Sequence, residues 1–308
     1  MVEQRSPKPR VVGSSPAAPA KFMKRINQIR LHKVALSVLC ALLGTALFFL
    51  IGFLMASDII AAEAKVPKED MECSFCEENI KIILEEEEAA RIAEHAKKLA
   101  EASGVVYLTF DDGPGEYTNA LLDILDKYEV KATFFVTGRG DDEVIKREFD
   151  EGHTVALHTW THNYAYVYSS VDNYFADLSQ IAERVKNITG QEAKLIRFPG
   201  GSSNLVSRRY DGKTRIMSTL VPEVEARGYK YFDWNLDSDD AGRAKDSDTV
   251  FVNVATHLKP GPNVVLQHDI YPYSVEAVER IIQYGNENGY VFEPLTVDSP
   301  TVHHDINN

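Results

Sequence analysis

The chain has 308 residues, enough for one enzyme-sized domain of ~200 residues with segments left over. Its hydrophobic share of 44% and charged share of 26% are those of an ordinary globular protein. The net charge of −13 is unevenly spread: eight of the 33 Lys and Arg residues but only one of the 46 acids precede Val34. The remainder is therefore strongly acidic and lacks the basic face that nucleic-acid binding requires, which leaves solubility as the simplest reading of the acidity.

Residues 1–33 are polar, basic and Pro/Ser-containing, and read as a disordered cytoplasmic tail. Val34 to Ala56 is an uncharged apolar run of 23 residues, long enough for a helix to cross a ~30 Å hydrocarbon core. Lys21, Lys24, Arg25, Arg30 and Lys33 precede it, so the expected topology is a single-pass anchor in the cell membrane with the C-terminal bulk outside. A cleaved signal peptide has a shorter apolar region of about 7–15 residues; Ala62-Glu63-Ala64 resembles a cleavage site, but the uncleaved anchor fits the length better. Cys40 lies in the span, and Cys73 and Cys76 form a lone C-x-x-C that lacks the second ligand pair of a structural zinc site.

Residues 57–76 read as a linker and Glu77 to Glu101 as a helix stopped by Ser103-Gly104, with Ile80, Leu84, Ile92, Ala96 and Leu99 near one face. Residues 57–104 are thus a linker and helical stalk, and both a free stalk and packing against the downstream domain fit the pattern. From Val105, strand-like runs at 105–110, 132–137, 153–157, 194–198, 229–233, 263–267 and 290–293 alternate with helical patterns near 117–128, 142–149, 172–188, 217–227, 247–257 and 274–288. This alternation predicts an α/β domain of parallel strands with covering helices over 105–295, followed by a C-terminal tail, 296–308, containing His303 and His304.

Asp111, Asp112, His158, Arg197, Asp233 and His268 all fall at or just beyond the C-terminal ends of these runs, the edge where a β/α barrel gathers its catalytic groups. His158-Thr159-Trp160-Thr161-His162 sets two imidazoles four apart, which on a helical turn share a face. With a carboxylate from Asp112 they make a two-His, one-carboxylate set with open positions, suited to catalytic Zn²⁺ or another divalent ion. Adjacent side chains on an extended strand point opposite ways, so one of Asp111 and Asp112 should ligate and the other stay free to take a proton. Arg197 can orient a carboxylate by a bidentate pair and Gly200 and Gly201 leave N–H groups free for an oxyanion, but this stretch alone reads as an ordinary loop with a surface Arg; His268 can donate to a leaving amine or be a packed residue beside a capping Asp269. Residues 233–240 are dense in acid; most of them read as a solvated loop, with one member free to pair with Arg197. Tyr164, Tyr166 and Tyr168 can stack on sugar rings or serve only as packing; His95 and His153 carry no second signal.

The segments TFDDGP (109–114), HTWTH (158–162), RFPGG (197–201), the acidic segment 233–240 and LQHD (266–269), in this order, resemble the NodB-homology polysaccharide deacetylases, the family 4 carbohydrate esterases. The resemblance implies a distorted (β/α) barrel and a metal-dependent N-deacetylase. By position it implies Asp111 as the base, Asp112, His158 and His162 as metal ligands, Arg197 as the partner that orients the base, and His268 as the acid. It further implies that the Gly200 N–H faces the oxyanion and that Leu266 lines the acetyl-methyl pocket. Asp240 would pair with Arg197 or hold His268, and Tyr164 would contact substrate. Two positions depart from the family pattern: Ala241 follows Asp240 where the family commonly has a Trp wall, and Gly200 stands where many members carry Tyr. The outward topology points to an N-acetylated envelope polysaccharide, peptidoglycan first, then chitin-like oligomers or an exopolysaccharide, then an O-acetyl ester. The other classes are a non-catalytic sugar- or metal-binding module and an assembly scaffold built on the stalk. The motifs do not specify the amino sugar or the oligomeric state.

Overall fold

The computed structural model describes residues 74–307. The predicted basic tail, the apolar span 34–56, Cys40 and Cys73 lie outside the described residues, and no described helix is long and apolar enough to cross a membrane. Helix α1 (Ser74–Glu101) begins slightly before the predicted start. Nearly all its described side chains are exposed; contact is confined to its C-terminal end, where Leu99 is half-buried and His95 Nε2 lies 3.1 Å from a Glu293 carboxylate oxygen.

The domain is built on eight strands: β1 (Gly104–Asp111), β2 (Thr133–Val136), β3 (Thr154–Leu157), β4 (Leu195–Ile196), β5 (Lys230–Tyr231), β6 (Leu236–Asp237), β7 (Pro262–His268) and β8 (Tyr290–Phe292). They form one sheet in the order β5-β4-β3-β2-β1-β7-β6, every pairing parallel, with β8 beside the start of β1. The predicted barrel is a curled half-barrel: among the described residues β5 and β6, consecutive in the chain, are its two edges. Helices α2 (Thr118–Lys127), α3 (Asp142–Asp150), α5 (Val171–Thr189), α6 (Ile216–Ala226), α7 (Ser247–Ala255) and α8 (Pro272–Glu287) match the predicted helices. The short α4 (Tyr164–Val167) and β6 were not predicted.

Parallel strands covered on both faces read as continuous apolar runs, and their period of two separates the faces. Leu108, Phe110, Phe134, Leu157, Ile196 and Val265 pack in the main core with the helices. Tyr107, Phe135, Ala156, Leu195 and Val264 form a second cluster on the concave face. Extending that second parity by one or two steps along each strand reaches Asp111, His158, Arg197 and His268. The register completes the alignment, with Asp111 opposite His268 across β1/β7 and Leu157 opposite Ile196 across β3/β4.

The segment read as a tail packs on the sheet. Asp233 N–H donates to the Val302 carbonyl (2.9 Å), and the His303 ring stacks on Tyr231 at 3.7 Å. The His304 N–H donates to the Asp233 carboxylate (2.8 Å).

Candidate active site

Asp112 lies beyond the end of β1 with φ 74°, a left-handed turn that an L-residue rarely takes. This overturns the strand-alternation argument for separating the two acids. The turn brings the Asp112 side chain back to the side Asp111 already faces, and both carboxylates approach His158 Nε2, Asp111 Oδ2 at 3.6 Å and Asp112 Oδ1 at 3.7 Å. Gly113 supports the turn: a Cβ there would lie 2.2 Å from Asp269 Oδ2, and the Asp269 carboxylate accepts a hydrogen bond from the Thr118 hydroxyl at the start of α2.

His158 and His162 are brought together by a loop rather than the helical turn first inferred. Thr159 (φ 64°) and His162 (φ 50°) are left-handed, and the two rings stand 4.9 Å apart. The loop is held by Asp177, a buried acid of α5 that the sequence reading missed. Its carboxylate accepts from Trp160 N–H (2.6 Å), Thr161 N–H (3.0 Å) and the Thr161 hydroxyl (2.7 Å). An acid on the buried stripe of α5, beside Tyr174, Leu178 and Ile181, was the available signal.

His158 Nδ1–H donates to the Arg197 carbonyl (2.8 Å), which leaves Nε2 as the free lone pair. Burial, reinforced by the neighbouring His162, pushes the His158 pKa down to about 3, so the ring is a neutral ligand. One donor atom each from Asp112, His158 and His162 lie within 4.8 Å of one another, and Asp112 Oδ1 is buried without a hydrogen-bond partner. Two imidazole nitrogens and an unsatisfied carboxylate oxygen fit a divalent cation such as Zn²⁺.

Two charged pairs flank this trio. Arg197 is fully buried; its Nη1 donates to Asp111 Oδ1 and Thr109 Oγ1 (both 2.7 Å), its Nε to the Phe232 carbonyl (3.0 Å) and its Nη2 to the Asp233 carbonyl (3.1 Å). The expected bidentate pair is thus a contact through one nitrogen, because the rest of the fork is spent on backbone carbonyls. Of the two partners open to Asp240, the structure selects His268 over Arg197. Asp240 Oδ1 takes His268 Nδ1–H (2.8 Å), and Oδ2 takes the His268 backbone N–H and the Ser274 hydroxyl (both 2.7 Å). Burial works against charge at both groups. The shared hydrogen bond outweighs it, raising the His268 pKa to about 9 and holding Asp240 below the usual carboxylate range.

The remaining predicted contacts sort by position. Gly200 is exposed with φ 74°, and a Cβ there would lie 2.9 Å from the Tyr164 hydroxyl, so Tyr164 fills the space a larger residue at 200 would need. Tyr164 also meets His162 edge-on at 5.3 Å. Leu266 is buried on β7 between Thr109 and Asp237. Tyr168 is buried with its hydroxyl on the Pro199 carbonyl (2.7 Å), which rules it out as a sugar platform. Asp233 serves structure, accepting from Ser202 N–H (2.8 Å) and the Ser202 hydroxyl (2.5 Å). His153 is buried, accepts from Ala132 N–H (3.1 Å) and is pushed down to about 4 by burial.

Comparison with known proteins agrees with this geometry. The polysaccharide deacetylase family pattern matches residues 98–216. A peptidoglycan-N-acetylglucosamine deacetylase of Bacillus cereus is 33% identical over 257 residues, 81% of this chain and 88% of the relative. A chitin deacetylase of Pestalotiopsis is 31% identical over 56% of this chain and 55% of its own. The crystal structure of the catalytic domain of a peptidoglycan N-acetylglucosamine deacetylase from Eubacterium rectale superposes with a TM-score of 0.64 at 50% identity, over 66% of this chain and 94% of that one. Shared sequence over most of a relative's length and a shared curled sheet make the chain a member of the polysaccharide deacetylases, the family 4 carbohydrate esterases.

Proposed function

We propose that the protein is a metal-dependent hydrolase that removes N-acetyl groups from amino sugars of a cell-envelope polysaccharide, with peptidoglycan as substrate. A divalent ion held by Asp112, His158 and His162, most simply Zn²⁺, would supply Lewis-acid polarisation of the acetyl carbonyl. Asp111, held by Arg197, takes a proton from the attacking water. The Gly200 N–H faces the developing oxyanion, Leu266 lines the methyl pocket, and Tyr164 borders the acetyl group. His268, kept protonated by Asp240, gives its proton to the departing nitrogen, so that water and amide become acetate and free amine. An amine leaves poorly without that proton, so the acid is needed as much as the base.

The observation that carries this reading is the opposition of two differently charged partners across one ladder. A guanidinium sits behind the base and a carboxylate behind the imidazole, and Asp111 and His268 are register neighbours. A binding module would have no need of both. The activities for which the relatives are named favour peptidoglycan, and the chitin deacetylase among them favours chitin oligomers as the second substrate. The apolar span 34–56 and the basic cluster before it support a membrane-anchored enzyme whose catalytic domain works outside the cytoplasm.

The test is acetate release from purified peptidoglycan beside N-acetylglucosamine oligomers, with the product analysed for the sugar that carries the new amine. Turnover should vanish with a chelator and return with Zn²⁺. Bound metal with no acetate from any acetylated glycan would overturn the assignment.

A further inference from the structure

A second aromatic surface borders His268, as Tyr164 borders His162. Tyr271 follows β7 and precedes α8, where Pro272 opens the helix and the Tyr271 carbonyl accepts from Ser274 N–H (3.1 Å) and Val275 N–H (3.2 Å). Its ring lies 5.8 Å from the His268 ring and parallel to Tyr273 at 5.4 Å and 7°. Lys245 Nζ sits over both phenols, 5.2 and 5.5 Å from their centroids, and donates to the Asp240 carbonyl (2.8 Å) and the Tyr273 hydroxyl (3.1 Å). The Tyr273 hydroxyl donates to the same carbonyl (3.0 Å). The stack is thus bolted to the backbone of the residue that holds His268.

Tyr271 nevertheless stays half-exposed. Two stacked phenols braced by a cation form a fixed aromatic surface, and its part-exposed ring stands beside a proton donor. The acid His268 must stand next to the nitrogen it protonates, and that nitrogen is bonded to a pyranose carbon. The sugar ring therefore has to lie within reach of whatever borders His268.

We infer that Tyr271, braced by Tyr273 and Lys245, is the platform for the pyranose ring that carries the scissile N-acetyl group, and that it makes the enzyme favour acetyl groups borne on a pyranose over acetyl substrates that lack one. The inference rests on the deacetylase reading above. Faces of this kind bind sugars through apolar C–H edges, with energies typical of an aromatic contact.

The experiment compares wild type, Tyr271→Ala and Tyr271→Phe, all loaded with Zn²⁺, on an N-acetylglucosamine tetramer and on 4-nitrophenyl acetate, which has no sugar ring. Tyr271→Ala should raise KM for the tetramer about tenfold with kcat within about twofold, leave the aryl acetate rate unchanged, and keep the basic limb of the pH profile in place. Tyr271→Phe should keep a wild-type KM within about twofold, since the ring remains. A fall in kcat on the tetramer or a shifted basic limb would mean that Tyr271 acts only through His268, and equal losses on both substrates would mean that it only holds the site together; either result overturns the platform, and so does an unchanged KM. Calorimetric binding of the tetramer separates this failure from that of the underlying function. A wild type that binds the tetramer without releasing acetate sinks the deacetylase reading, and the Kd ratio of Tyr271→Ala to wild type still decides for or against the platform. A wild type that neither binds nor turns over any N-acetylated glycan overturns both.

Discussion

Arg197 is a fully buried cation that spends its donors on Asp111, Thr109 and two backbone carbonyls while its guanidinium lies 4.2 Å over the Phe135 ring. Removing the Asp111 charge leaves that cation without a counter-charge, a change that costs about 3–5 kcal/mol when a buried pair is broken from one side. The His268–Asp240 pair has a separable signature. With His268 raised to about 9, the rate should fall only above that pH; Asp240→Asn removes the counter-charge and should move the basic limb down towards ~6.5, as kcat/KM against pH will reveal. The stability effect has the matching sign. A raised imidazole pKa contributes stability that is complete below ~6.5 and lost as pH climbs through about 9; the lowered Asp240 value contributes stability lost as acid protonates it. The thermal-melt gap between wild type and Asp240→Asn should therefore be widest between ~4 and ~6.5 and narrow as pH climbs through about 9. At this scale the paired acids, the two imidazoles, Arg197 and His268 were all legible from their places at the ends of apolar runs. The backbone conformations that aim them were not: a left-handed Asp112 or His162 leaves no mark in residue type.

The loop 158–162 shows what an element contributes beyond its motif. Two histidines four apart suggest a helix, yet here two left-handed residues and the Asp177 carboxylate do the folding. Asp177→Ala should release the loop and weaken Zn²⁺ affinity by about 10–100-fold, the usual range for losing a group that orients ligands, while thermal melting shows the domain still folded. Competition against a chromogenic chelator would measure it; unchanged affinity would reduce Asp177 to a packing residue. The strands were readable because parallel strands buried on both faces are apolar throughout. Two-residue β6 sits in an acid-rich stretch and is too short to show a period, and α4 is a single turn fixed by Asn163, whose side chain accepts from Ala165 and Tyr166 N–H.

At the scale of the whole molecule, the described side chains of α1 are largely exposed, and the site draws none of them. Deleting residues 57–94 should therefore leave kcat/KM on a soluble oligomer within about twofold of wild type, measured by acetate release. A large loss would mean that the segment completes the substrate groove. The C-terminal segment behaves oppositely to its sequence expectation. Its polar composition suggests a free end, but pairing with Asp233 and Tyr231 ties it to the strand edge that also anchors Arg197. Composition could not reveal this, because the partners lie far away along the chain.

The continuous β1/β7 ladder, from Val105 opposite Pro262 to Asp111 opposite His268, has a mechanical corollary. Proton acceptor and proton donor ride on neighbouring rails, so their separation is cut by the ~4.8 Å gauge of hydrogen-bonded backbones and not by rotamer choice. One residue inserted between Val105 and Leu108 would turn Asp111 toward the helices and strand the Arg197 cation against hydrocarbon. The length of this one track is not negotiable.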